Sequence, residues 1–507
     1  MGQPPGYAMS SCLLSLRLSR AAGFDAETLR EVYYLSLLRH IGCNAETSLL
    51  ASVMGDEMLF RRDYAFADSA SPAEMASLLV RSIRRAHASA SAWQVTAMVA
   101  RGLLALPRIR DSLGSHCEVA QRMAARLGFG SGLIGSLGQV YERWDGKGVP
   151  LGLRHEQVTQ ATRAVTLCRD ALVFHRLGGS EAAVAVVRKR KGTAYDPRLA
   201  DLFCAEAAPL LAGLGGDPAE DPAGNPGGGN TRDEVLAAEP GQATLLDEAG
   251  FEAALGVMAE FADVKSLGTI GHSPAVAALA VAAAREAGLG AMETRMLRQA
   301  ALVCDLGRVS VSSSVWDKAG PLSRDEWDKV RLHAYYAERL LSRSPAMAPL
   351  GQLASRHHER LDGTGYHRGL PASALAFPAR LLAAADAYQS MREPRTYREA
   401  LDPEDAAKEL QADAKAGRLD RDAVRAVLAA AGLRGHARRT EAVANLSERE
   451  LEVLRLVARG RTMKEAAQKL SISVKTVDRH IQNIYVKIGV STRAAAALFA
   501  AENHLLD

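Results

Sequence analysis

Aromatic residues are scarce in this chain, at 5% of its 507 residues, and none of its six cysteines stands in a Cys-x-x-Cys pair. The missing pair argues against the common zinc and redox motifs and favours a reducing compartment. No secretory signal, no apolar run of about eighteen residues and no polybasic tail is apparent. We therefore expect a cytoplasmic protein without a membrane partner. The net charge of +4 gives no general argument for binding a polyanion.

The chain also lacks the alternating apolar pattern of a β-strand. Instead, Ala, Leu and Arg recur in helical periods, separated by clusters of Gly and Pro. The length suggests about three or four domains. The sequence therefore predicts an all-α fold with two tandem helical bundles and a small terminal domain.

Two stretches have the composition of linkers. Residues 212–234 are too rich in Gly and Pro to sustain a helix or a core, and a shorter Gly- and Arg-containing stretch follows residue 432. These stretches divide the chain into five predicted segments. They are a first helical domain, a flexible linker, a second helical domain, a short linker and a terminal domain, at residues 1–213, 214–235, 236–432, 433–443 and 444–507.

The two helical domains are copies of one internal repeat. Residues 22–42 align with 287–307 at an offset of 265, and residues 116–153 align with 333–370 at an offset of 217. The change of offset means that the first copy carries a 48-residue insertion between the aligned segments. The sequence therefore predicts one shared fold with an addition in the first copy.

The terminal residues contain three helix starts in close succession. Ser447 with Glu450 and Thr462 with Glu465 form Ser/Thr-x-x-Glu signals, and Ser473 precedes a third helix. On this third helix, polar side chains recur on a face apart from the apolar stripe. The predicted DNA contacts are Lys475, Thr476, Arg479, His480, Asn483 and Lys487. The alternative is a solvated helix face, which three short helices with a basic third one disfavour.

Residues 445–500 resemble the C-terminal helix-turn-helix domain of LuxR/GerE-type regulators. The resemblance is carried by Leu446, Ser447, Arg449, Glu450, Gly460, Lys464, Glu465, Ala467, Leu470, Ser473, Lys475, Thr476, Val477, His480, Asn483, Ile484, Lys487, Gly489, Val490 and Arg493. It implies that the third helix contacts a two-fold symmetric site in double-stranded DNA. It also implies that the helix after Arg493 mediates dimerisation, so we expect a homodimer on DNA.

The second copy contains an inventory of metal-binding side chains spread over successive helices. They are His272, Cys304, Asp305, His333, His357, His358 and Asp386. A carboxylate can bridge two divalent ions while imidazoles fill the remaining positions. Each residue taken alone is more simply a surface or core residue. The joint pattern favours a site descended from metal binding.

This inventory resembles that of the HD-GYP family of metal-dependent phosphohydrolases, whose members cleave cyclic dinucleotides, over residues 265–432. The hallmark segment runs from His357-His358-Glu359 to Gly365-Tyr366. The resemblance implies the seven metal ligands named above, holding divalent ions such as Fe, Mn or Zn. Three positions depart from the family. The His of its His-Asp pair is Cys304, its Lys is Arg308, and its Pro after Gly-Tyr is His367.

The resemblance also assigns roles around the metal ligands. Asp305 would be a catalytic, bridging ligand, and Arg308 would act in catalysis and clamp a phosphate of the substrate. Gly363, Gly365 and Tyr366 would form the substrate-binding loop, although Asp362-Gly363 alone is typical of a simple turn.

The first copy has lost most of these ligand types. Its aligned positions are Tyr7, Arg39, His40, His116, Val140, Tyr141 and, allowing a one-residue shift, Asp170, and only His116 and Asp170 keep the expected type. We therefore expect no metal centre in the first copy, which would pack on the second or sense a ligand. Its basic run at residues 188–191 is better explained as a solvated helix end than as a nucleic-acid contact.

The sequence leads to one main hypothesis and two alternatives. The main hypothesis is a DNA-binding transcription regulator whose HD-GYP-like domains sense a nucleotide, such as a cyclic dinucleotide, or a metal. The first alternative is an active metal-dependent phosphohydrolase that carries a DNA-binding domain. The second is a scaffold, which retention of six expected ligands disfavours.

Overall fold

The computed structural model describes residues 6–86, 91–214, 231–243, 245–432, 446–503 and 505–506. Within these ranges the regular structure is helical, with four isolated β-bridges and no strand. The predicted all-α fold is confirmed. The chain divides into two compact units, Met1–Asp247 and Glu248–Asp507.

Unit 1 is a helical bundle around one main apolar core and a smaller satellite core. Among its described residues the α-helices are α1 (Tyr7–Ala21), α2 (Ala26–Leu38), α3 (Thr47–Met54), α4 (Glu57–Tyr64), α5 (Pro72–Ala86), α6 (Ala92–Arg126), α7 (Ser131–Leu137), α8 (Gln160–Arg190), α9 (Pro197–Ala205), α10 (Ala207–Leu211) and α11 (Thr231–Ala237). Helices α1, α2 and α8 form the centre of the main core, where Leu14, Leu35 and Leu167 are fully buried.

The predicted insertion forms the satellite core. Helices α3, α4 and α5 and the first part of α6 lie between the two aligned segments of the repeat. Their apolar faces pack together around Leu50, Phe60, Leu79 and Ile83. The inserted residues therefore fold as an addition with its own small core, which burial of these side chains stabilises.

The end of unit 1 differs from the predicted boundaries. The predicted linker reached residue 235, but α11 begins at Thr231, and Val235 is buried in the main core of unit 1. The compact unit continues to Asp247, beyond the predicted start of the second domain at residue 236. One buried side chain, Val235, in a helix of seven residues was too weak a pattern to reveal this helix.

Unit 2 contains the second helical bundle and the terminal helices. Its described α-helices are α12 (Glu248–Asp263), α13 (His272–Glu286), α14 (Ala291–Val303), α15 (Ser313–Trp316), α16 (Arg324–Leu341), α17 (Ala348–Ala354), α18 (Phe377–Arg392), α19 (Pro403–Lys415), α20 (Arg421–Ala430), α21 (Glu448–Ala458), α22 (Met463–Leu470), α23 (Val474–Ile488) and α24 (Arg493–Glu502). Helices α13, α14, α18 and α20 meet around Ala280, Leu297, Leu382 and Val427, all fully buried.

The same close backbone contact occurs in both copies of the repeat. A Cβ atom on Gly307 would lie 1.9 Å from the backbone oxygen of His333, and a Cβ atom on Gly42 would lie 2.0 Å from that of His116. Neither position has room for a side chain. The aligned glycines thus bring equivalent helices together in the two units.

One segment is more apolar than we predicted from the sequence. Leu267–Glu286 has a mean hydropathy of 1.4, long and apolar enough by composition to cross a membrane, and half of the segment is buried inside the protein. It includes α13, whose Ala-rich face packs in the core of unit 2. Burial of this kind is typical of the central helix of a globular bundle.

The terminal helices α21 to α24 form the predicted helix-turn-helix arrangement. Ser447 and Thr462 cap α21 and α22 in reciprocal contacts with Glu450 and Glu465, and Ser473 caps α23. Asn445, where the resemblance begins, lies outside the described residues. The apolar stripe of α23 is buried in the core of this domain, at Val477, Ile481 and Ile484.

Within unit 2, the helix-turn-helix domain packs on the bundle beside the start of α13. Ile270 is only 8% exposed and belongs to the apolar core of the terminal domain. A Cβ atom on Gly460 would lie 3.3 Å from Leu267, and one on Gly271 would lie 3.2 Å from Leu506. We call residues 267–271 the docking segment. It ends directly before His272.

Candidate metal centre and DNA-binding surface

Six of the predicted metal ligands meet inside unit 2. They come from the start of α13, the turn after α14, the middle of α16, the turn after α17, and α18. These residues are His272, Asp305, His333, His357, His358 and Asp386. All except His358 are at most 3% exposed. Buried imidazoles and carboxylates in one place are costly unless they are paired or bind a cation.

Asp305 lies at the centre of this cluster. Its Oδ1 atom is 3.4 Å from His333 Nε2 and 3.6 Å from His357 Nε2. Although Oδ1 is buried, it accepts no hydrogen bond from any described residue. Together with His358, these side chains offer four donor atoms within 4.8 Å of one another. The orphaned oxygen and the imidazoles around it fit one divalent ion.

The other oxygen of Asp305 faces a second set of donors. Asp305 Oδ2 is 3.5 Å from His272 Nε2, which is also 3.1 Å from Asp386 Oδ1. Asp386 Oδ2 in turn lies 3.7 Å from His358 Nδ1. Asp305 thus lies between two groups of donors, as expected of a bridging carboxylate. Its ligand role stays a prediction.

Hydrogen bonds from Nδ1 orient two of the histidines. His333 Nδ1 donates to the Val330 carbonyl at 2.5 Å, and His357 Nδ1 donates to the Ala354 carbonyl at 2.7 Å. Because these carbonyls accept the Nδ1 protons, the Nε2 atom of each ring faces Asp305 and carries a lone pair when the ring is neutral. Partners of this kind set the tautomer of a metal-binding histidine.

Glu393 is a partner that the sequence reading missed. Its Oε2 atom accepts a hydrogen bond from His272 Nδ1 at 2.9 Å, and Arg395 Nη2 lies 2.9 Å from the same oxygen. Glu393 follows Asp386 by about two turns at the end of α18, so the two carboxylates share a helix face. That spacing is the only signal in the sequence that pointed to it.

The cluster holds its carboxylates ionised. Burial raises the pKa of Asp305, but Arg308 and the histidines outweigh it and hold the pKa well below its ordinary value. Burial lowers the pKa of His272, yet Glu393 and its neighbours outweigh it and raise the pKa to about 10. Burial holds the pKa of His358 well below its ordinary value. The ionised carboxylates and the neutral His358 are in the form that binds metal, whereas His272 must release its proton to become a ligand.

The surroundings of Cys304 differ from those expected of a metal ligand. Its Sγ donates to the carbonyl of Ala301 at 3.2 Å, one turn back in α14, and the residue lies fully buried in the apolar core. The four-donor group does not include it. Burial raises the pKa of the thiol well above its ordinary value. Because the thiolate is the metal-binding form, these surroundings favour a packing role for Cys304.

Arg308 lies against the cluster. Its Nη1 atom is 3.0 Å from Asp305 Oδ2, and its guanidinium stacks over the Trp316 ring at 4.2 Å from the centroid. Its buried Nε has no hydrogen-bond partner among the described residues. Arg308 therefore orients the central carboxylate. A phosphate clamp by this residue stays a prediction.

The predicted substrate loop borders the cluster. The ring of Tyr366 lies 4.6 Å from that of His358 between centroids. Gly363 adopts a φ of 76°, and a Cβ atom on Gly365 would lie 2.3 Å from the backbone nitrogen of Arg360. The backbone itself thus requires both glycines. Their contact with a substrate stays a prediction.

In the first copy, other side chains fill the aligned positions. His116 Nε2 donates to the carbonyl of Arg39 at 2.8 Å, and Nδ1 accepts from the Tyr141 hydroxyl at 3.0 Å. The Tyr7 hydroxyl donates to a backbone carbonyl at 2.7 Å, and Asp170 contacts Arg190 at 3.2 Å. Guanidinium and phenol groups thus occupy this region of unit 1. The remaining aligned positions are those of His40 and Val140.

The third helix of the terminal domain, α23, exposes its predicted DNA contacts to different degrees. Lys475, Arg479 and Asn483 are exposed, while His480 is half-buried. Thr476 is also half-buried, and its hydroxyl lies 2.8 Å from the capping hydroxyl of Ser473. Lys487 lies 2.7 Å from Glu450 Oε2, so this cation is already paired. The exposed residues share one side of α23, which suits entry into a major groove.

Comparison with known proteins agrees with this division. The protein family described as "HD domain" matches residues 256–423. The family described as "Bacterial regulatory proteins, luxR family" matches residues 444–500. Unit 2 joins an HD domain to a LuxR-family regulatory domain. The second match includes all of α23 and its predicted DNA contacts.

Two relatives extend the comparison. The 3'3'-cGAMP-specific phosphodiesterase 3 of Vibrio cholerae is 26% identical over 406 residues, which are 79% of this chain and 85% of that protein. This alignment is longer than the HD domain, so the likeness reaches into unit 1. The regulatory protein LiaR of Bacillus subtilis is 49% identical over 63 residues, or 12% of this chain and 30% of LiaR.

A solved structure shares the fold of the tandem bundles. The crystal structure of a cyclic GMP-AMP-specific phosphodiesterase of V. cholerae, V-cGAP3, superposes with a TM-score of 0.53 at 23% identity. The superposition covers 86% of this chain and 94% of that chain. The chain thus combines an HD domain, which is similar to those of cyclic dinucleotide phosphodiesterases, with a LuxR-type helix-turn-helix domain.

Proposed function

We propose that this protein is a DNA-binding transcription regulator whose second HD domain senses a divalent ion and a cyclic dinucleotide. The LuxR-type domain binds a two-fold symmetric site as a homodimer in the cytoplasm. The relatives include phosphodiesterases specific for 3'3'-cGAMP and, in Xanthomonas campestris, one for cyclic di-GMP at 38% identity over 119 residues. Molecules of this class are the expected effectors.

The docking segment is the observation that carries this proposal. Ile270 is built into the core of the DNA-binding domain, and His272 lies two positions later in the ligand cluster. A ligand that displaces His272 must therefore act on a segment packed against the DNA-binding domain. Coupling of this kind requires that the ligand favours one arrangement of that contact over another.

The contact also involves the end of the terminal domain. Ala501, at the end of α24, and Leu506 lie against Gly271. The family resemblance assigns dimerisation to α24. Docking and dimerisation would then use neighbouring surfaces, which gives the HD domain a route to control DNA binding.

A titration of DNA affinity tests this coupling. We expect the affinity of the full chain, measured at fixed salt, to change by about 5-fold or more when Mn²⁺ and 3'3'-cGAMP are added. Ile270→Ala should reduce the change, because it removes part of the docking contact. Leu340→Ala serves as the control, since this leucine is exposed on α16. An affinity that is the same with and without these ligands would refute the coupling.

The DNA interface has a separate test. Arg479→Ala should weaken DNA binding by about tenfold, and Lys487→Ala should also weaken it while leaving Glu450 without its cation. Arg425→Ala removes an exposed cation from α20 and should have no effect. Unchanged affinity in an Arg479→Ala, Lys487→Ala double variant would rule out α23 as the recognition helix.

A second function is an active phosphohydrolase. It is favoured by the convergence of six predicted ligands, with Asp305 at their centre, one of whose oxygens accepts no hydrogen bond from the described residues. A divalent ion, expected to be Fe, Mn or Zn, would supply Lewis acidity and an activated water. Arg308 would hold Asp305 in place, and Tyr366 would stack against a base.

Product formation distinguishes the two functions. The purified chain is incubated with Mn²⁺ and with 3'3'-cGAMP or cyclic di-GMP, beside a His357→Ala, His358→Ala variant. Hydrolysis by the wild type alone would establish the enzyme. Binding of the nucleotide without hydrolysis would support a sensor, with Cys304 at the position where the family has a histidine.

A further inference from the structure

Unit 1 encloses a cavity of about 650 Å³. Five positions that align with metal ligands of the second copy line it, namely those of Tyr7, His40, Val140, Tyr141 and Asp170. The first copy therefore has a cavity where the second copy gathers its ligands. Cavities of this size are typical of small-molecule sites.

The insertion forms the opposite wall of this cavity. Apolar side chains from α3 to α6 line that wall, and they are Leu50, Met54, Phe60, Met75, Ile109 and Leu113. Between the aligned segments the second copy has 48 fewer residues. The added satellite core thus encloses a space that faces apolar groups on one side and polar groups on the other.

The polar side contains an incompletely satisfied ion pair. Arg61 Nη2 lies 3.2 Å from Glu46 Oε1 and also donates to the carbonyl of Cys43. Arg61 Nη1 and Glu46 Oε2 are buried and have no hydrogen-bond partner among the described residues. Both residues line the cavity. Leaving two such atoms unpaired costs free energy that a polar ligand group would recover.

The charges around the cavity favour an anion. The lining cations are Arg61, Arg143, Lys147, Arg169 and Arg190, and the lining carboxylates are Glu46, Asp68, Glu142 and Asp170. Three of these carboxylates already have partners. Asp68 pairs with Arg143, and Asp170 pairs with Arg169 and Arg190. Glu142 accepts backbone N–H groups of residues 151–153.

Glu46, the fourth carboxylate, is able to donate a hydrogen bond. Burial raises its pKa to about 7, against the opposing effect of Arg61. The other ionisable groups that act on it are Tyr64, Cys117 and Tyr141, and burial raises the pKa of each of them, which keeps them neutral. A protonated Glu46 beside Arg61 Nη1 presents two donors to one ligand group. A carboxylate accepts two such donors at once.

We propose that the cavity of unit 1 binds a small organic acid. The carboxylate of the acid lies against Arg61 and a protonated Glu46, and its apolar body lies among the side chains of the insertion. The first copy is then a second sensory site, independent of metal. This inference does not depend on the function proposed for unit 2.

Calorimetric titration of the full chain tests this site with two acids and their neutral counterparts. The probes are decanoate and 1-naphthylacetate, with decanamide and 1-naphthylacetamide as controls. We expect at least one acid to bind about tenfold or more tightly than its amide. Equal affinities within both pairs, or no binding of either acid at millimolar concentration, would overturn the proposal.

Two neighbouring arginines provide a matched pair of variants. Arg61→Gln should weaken binding of the acid by about tenfold or more, whereas Arg62→Gln should not, because the Arg62 side chain is 48% exposed and pairs with Asp63 outside the cavity. Should Arg61→Gln fail to fold, Leu113→Trp fills the cavity from the apolar side and should also block binding. Unchanged affinity in Leu113→Trp would place the acid elsewhere and refute the site.

Proton uptake tests the role of Glu46. Titrations of the wild type above pH 7, in buffers of different ionisation enthalpy, should show uptake of a proton on binding. Glu46→Gln should bind the acid without uptake, since the amide already carries a donor. A wild type that binds without uptake contradicts the role of Glu46. The His357→Ala, His358→Ala variant should bind normally, and lost binding there would assign the acid to unit 2.

Discussion

The two copies of the repeat use one backbone arrangement for different side-chain chemistry. Gly42 and Gly307 allow the same close helix contact in both units. In the second copy this contact brings His333 to Asp305, whose Oδ1 accepts no hydrogen bond from the described residues. In the first copy it brings His116 to the carbonyl of Arg39. The backbone packing is thus the same in both copies, although the first copy lacks most of the ligand side chains.

The difference shows how a buried site can remain polar without a metal. Arg39, Arg169 and Arg190 supply positive charge in the first copy, where the second gathers histidines. A guanidinium keeps its charge without any bound ion. The insertion then covers the region with apolar side chains, so that the first copy has an enclosed cavity.

The largest expected effect is loss of metal from the second copy. Substituting His357→Ala together with His358→Ala should remove nearly all bound divalent metal, because two of the four clustered donors, one of which is Asp305 itself, disappear. Elemental analysis of the full chain, after dialysis against Mn²⁺ or Zn²⁺ and then buffer, measures this. His116→Ala, the aligned change in the first copy, should leave the metal content unchanged. An equal loss of metal in His116→Ala would contradict the inference that only the second copy binds metal.

The next effect concerns the shared glycines. We expect Gly307→Ala and Gly42→Ala each to destabilise their own unit by about 3 kcal/mol or more, because the new methyl group would meet a backbone oxygen. Denaturant unfolding of the full chain measures this. Gly130→Ala and Gly290→Ala are controls, since a Cβ atom at either glycine meets no atom closer than 3.7 Å. Loss of stability in only one unit would mean that the copies pack differently.

The stability of unit 1 should depend on pH because of Glu46, which lies in the insertion of the first copy. Burial raises the pKa of Glu46 to about 7, compared with about 4.3 in an unfolded chain. Between these values the folded state keeps a proton that the unfolded state loses, so the stability of unit 1 falls as pH rises. Relative to Glu46→Gln, the wild type should lose up to about 3 kcal/mol from pH 4 to pH 7.

Denaturant unfolding at a series of pH values measures this difference. If the free energies of unfolding of the wild type and of Glu46→Gln change in parallel over the whole pH range, Glu46 ionises normally. The two copies would then not differ in this electrostatic property. Arg62→Gln, an exposed change in α4, should leave the pH dependence in place.

The smallest effect tests the partner of His272. Glu393→Gln should weaken metal binding by about tenfold, because the carboxylate that orients His272 loses its charge. Competition with a chelator of known affinity measures the change. Tyr7→Phe alters the aligned position of the first copy and should have no effect. A metal affinity that is unchanged in Glu393→Gln would mean that His272 does not need this partner.

Much of the fold was accessible from local patterns. Helical periodicity predicted the all-α class, and the capping signals at Ser447, Thr462 and Ser473 lie where α21, α22 and α23 begin. The helix at Thr231–Ala237 was missed, since a short helix with one buried side chain has almost no periodicity. The apolar character of α13 was underestimated because small alanines, and not large aliphatic side chains, make up most of its apolar residues.

The sequence predicted which residues form the candidate site better than it predicted how their side chains are arranged. Six of the seven predicted ligands meet, whereas Cys304 turns back onto Ala301 in its own helix. No sequence pattern reports which way a buried side chain points, since packing with distant helices selects the rotamer. Glu393 carries no motif, and its position at the end of α18 alone brings it to His272.

The sequence by itself determined the helices, the repeat and the supply of imidazoles, carboxylates and basic residues, because these depend on the identity and spacing of near neighbours. Only the tertiary structure decided which of them meet. His272 reaches Asp386 across 114 residues, and Ile270 enters the core of a domain that begins after residue 445. Such contacts follow from the packing of whole helices, and the enclosed cavity of unit 1 follows from the same cause.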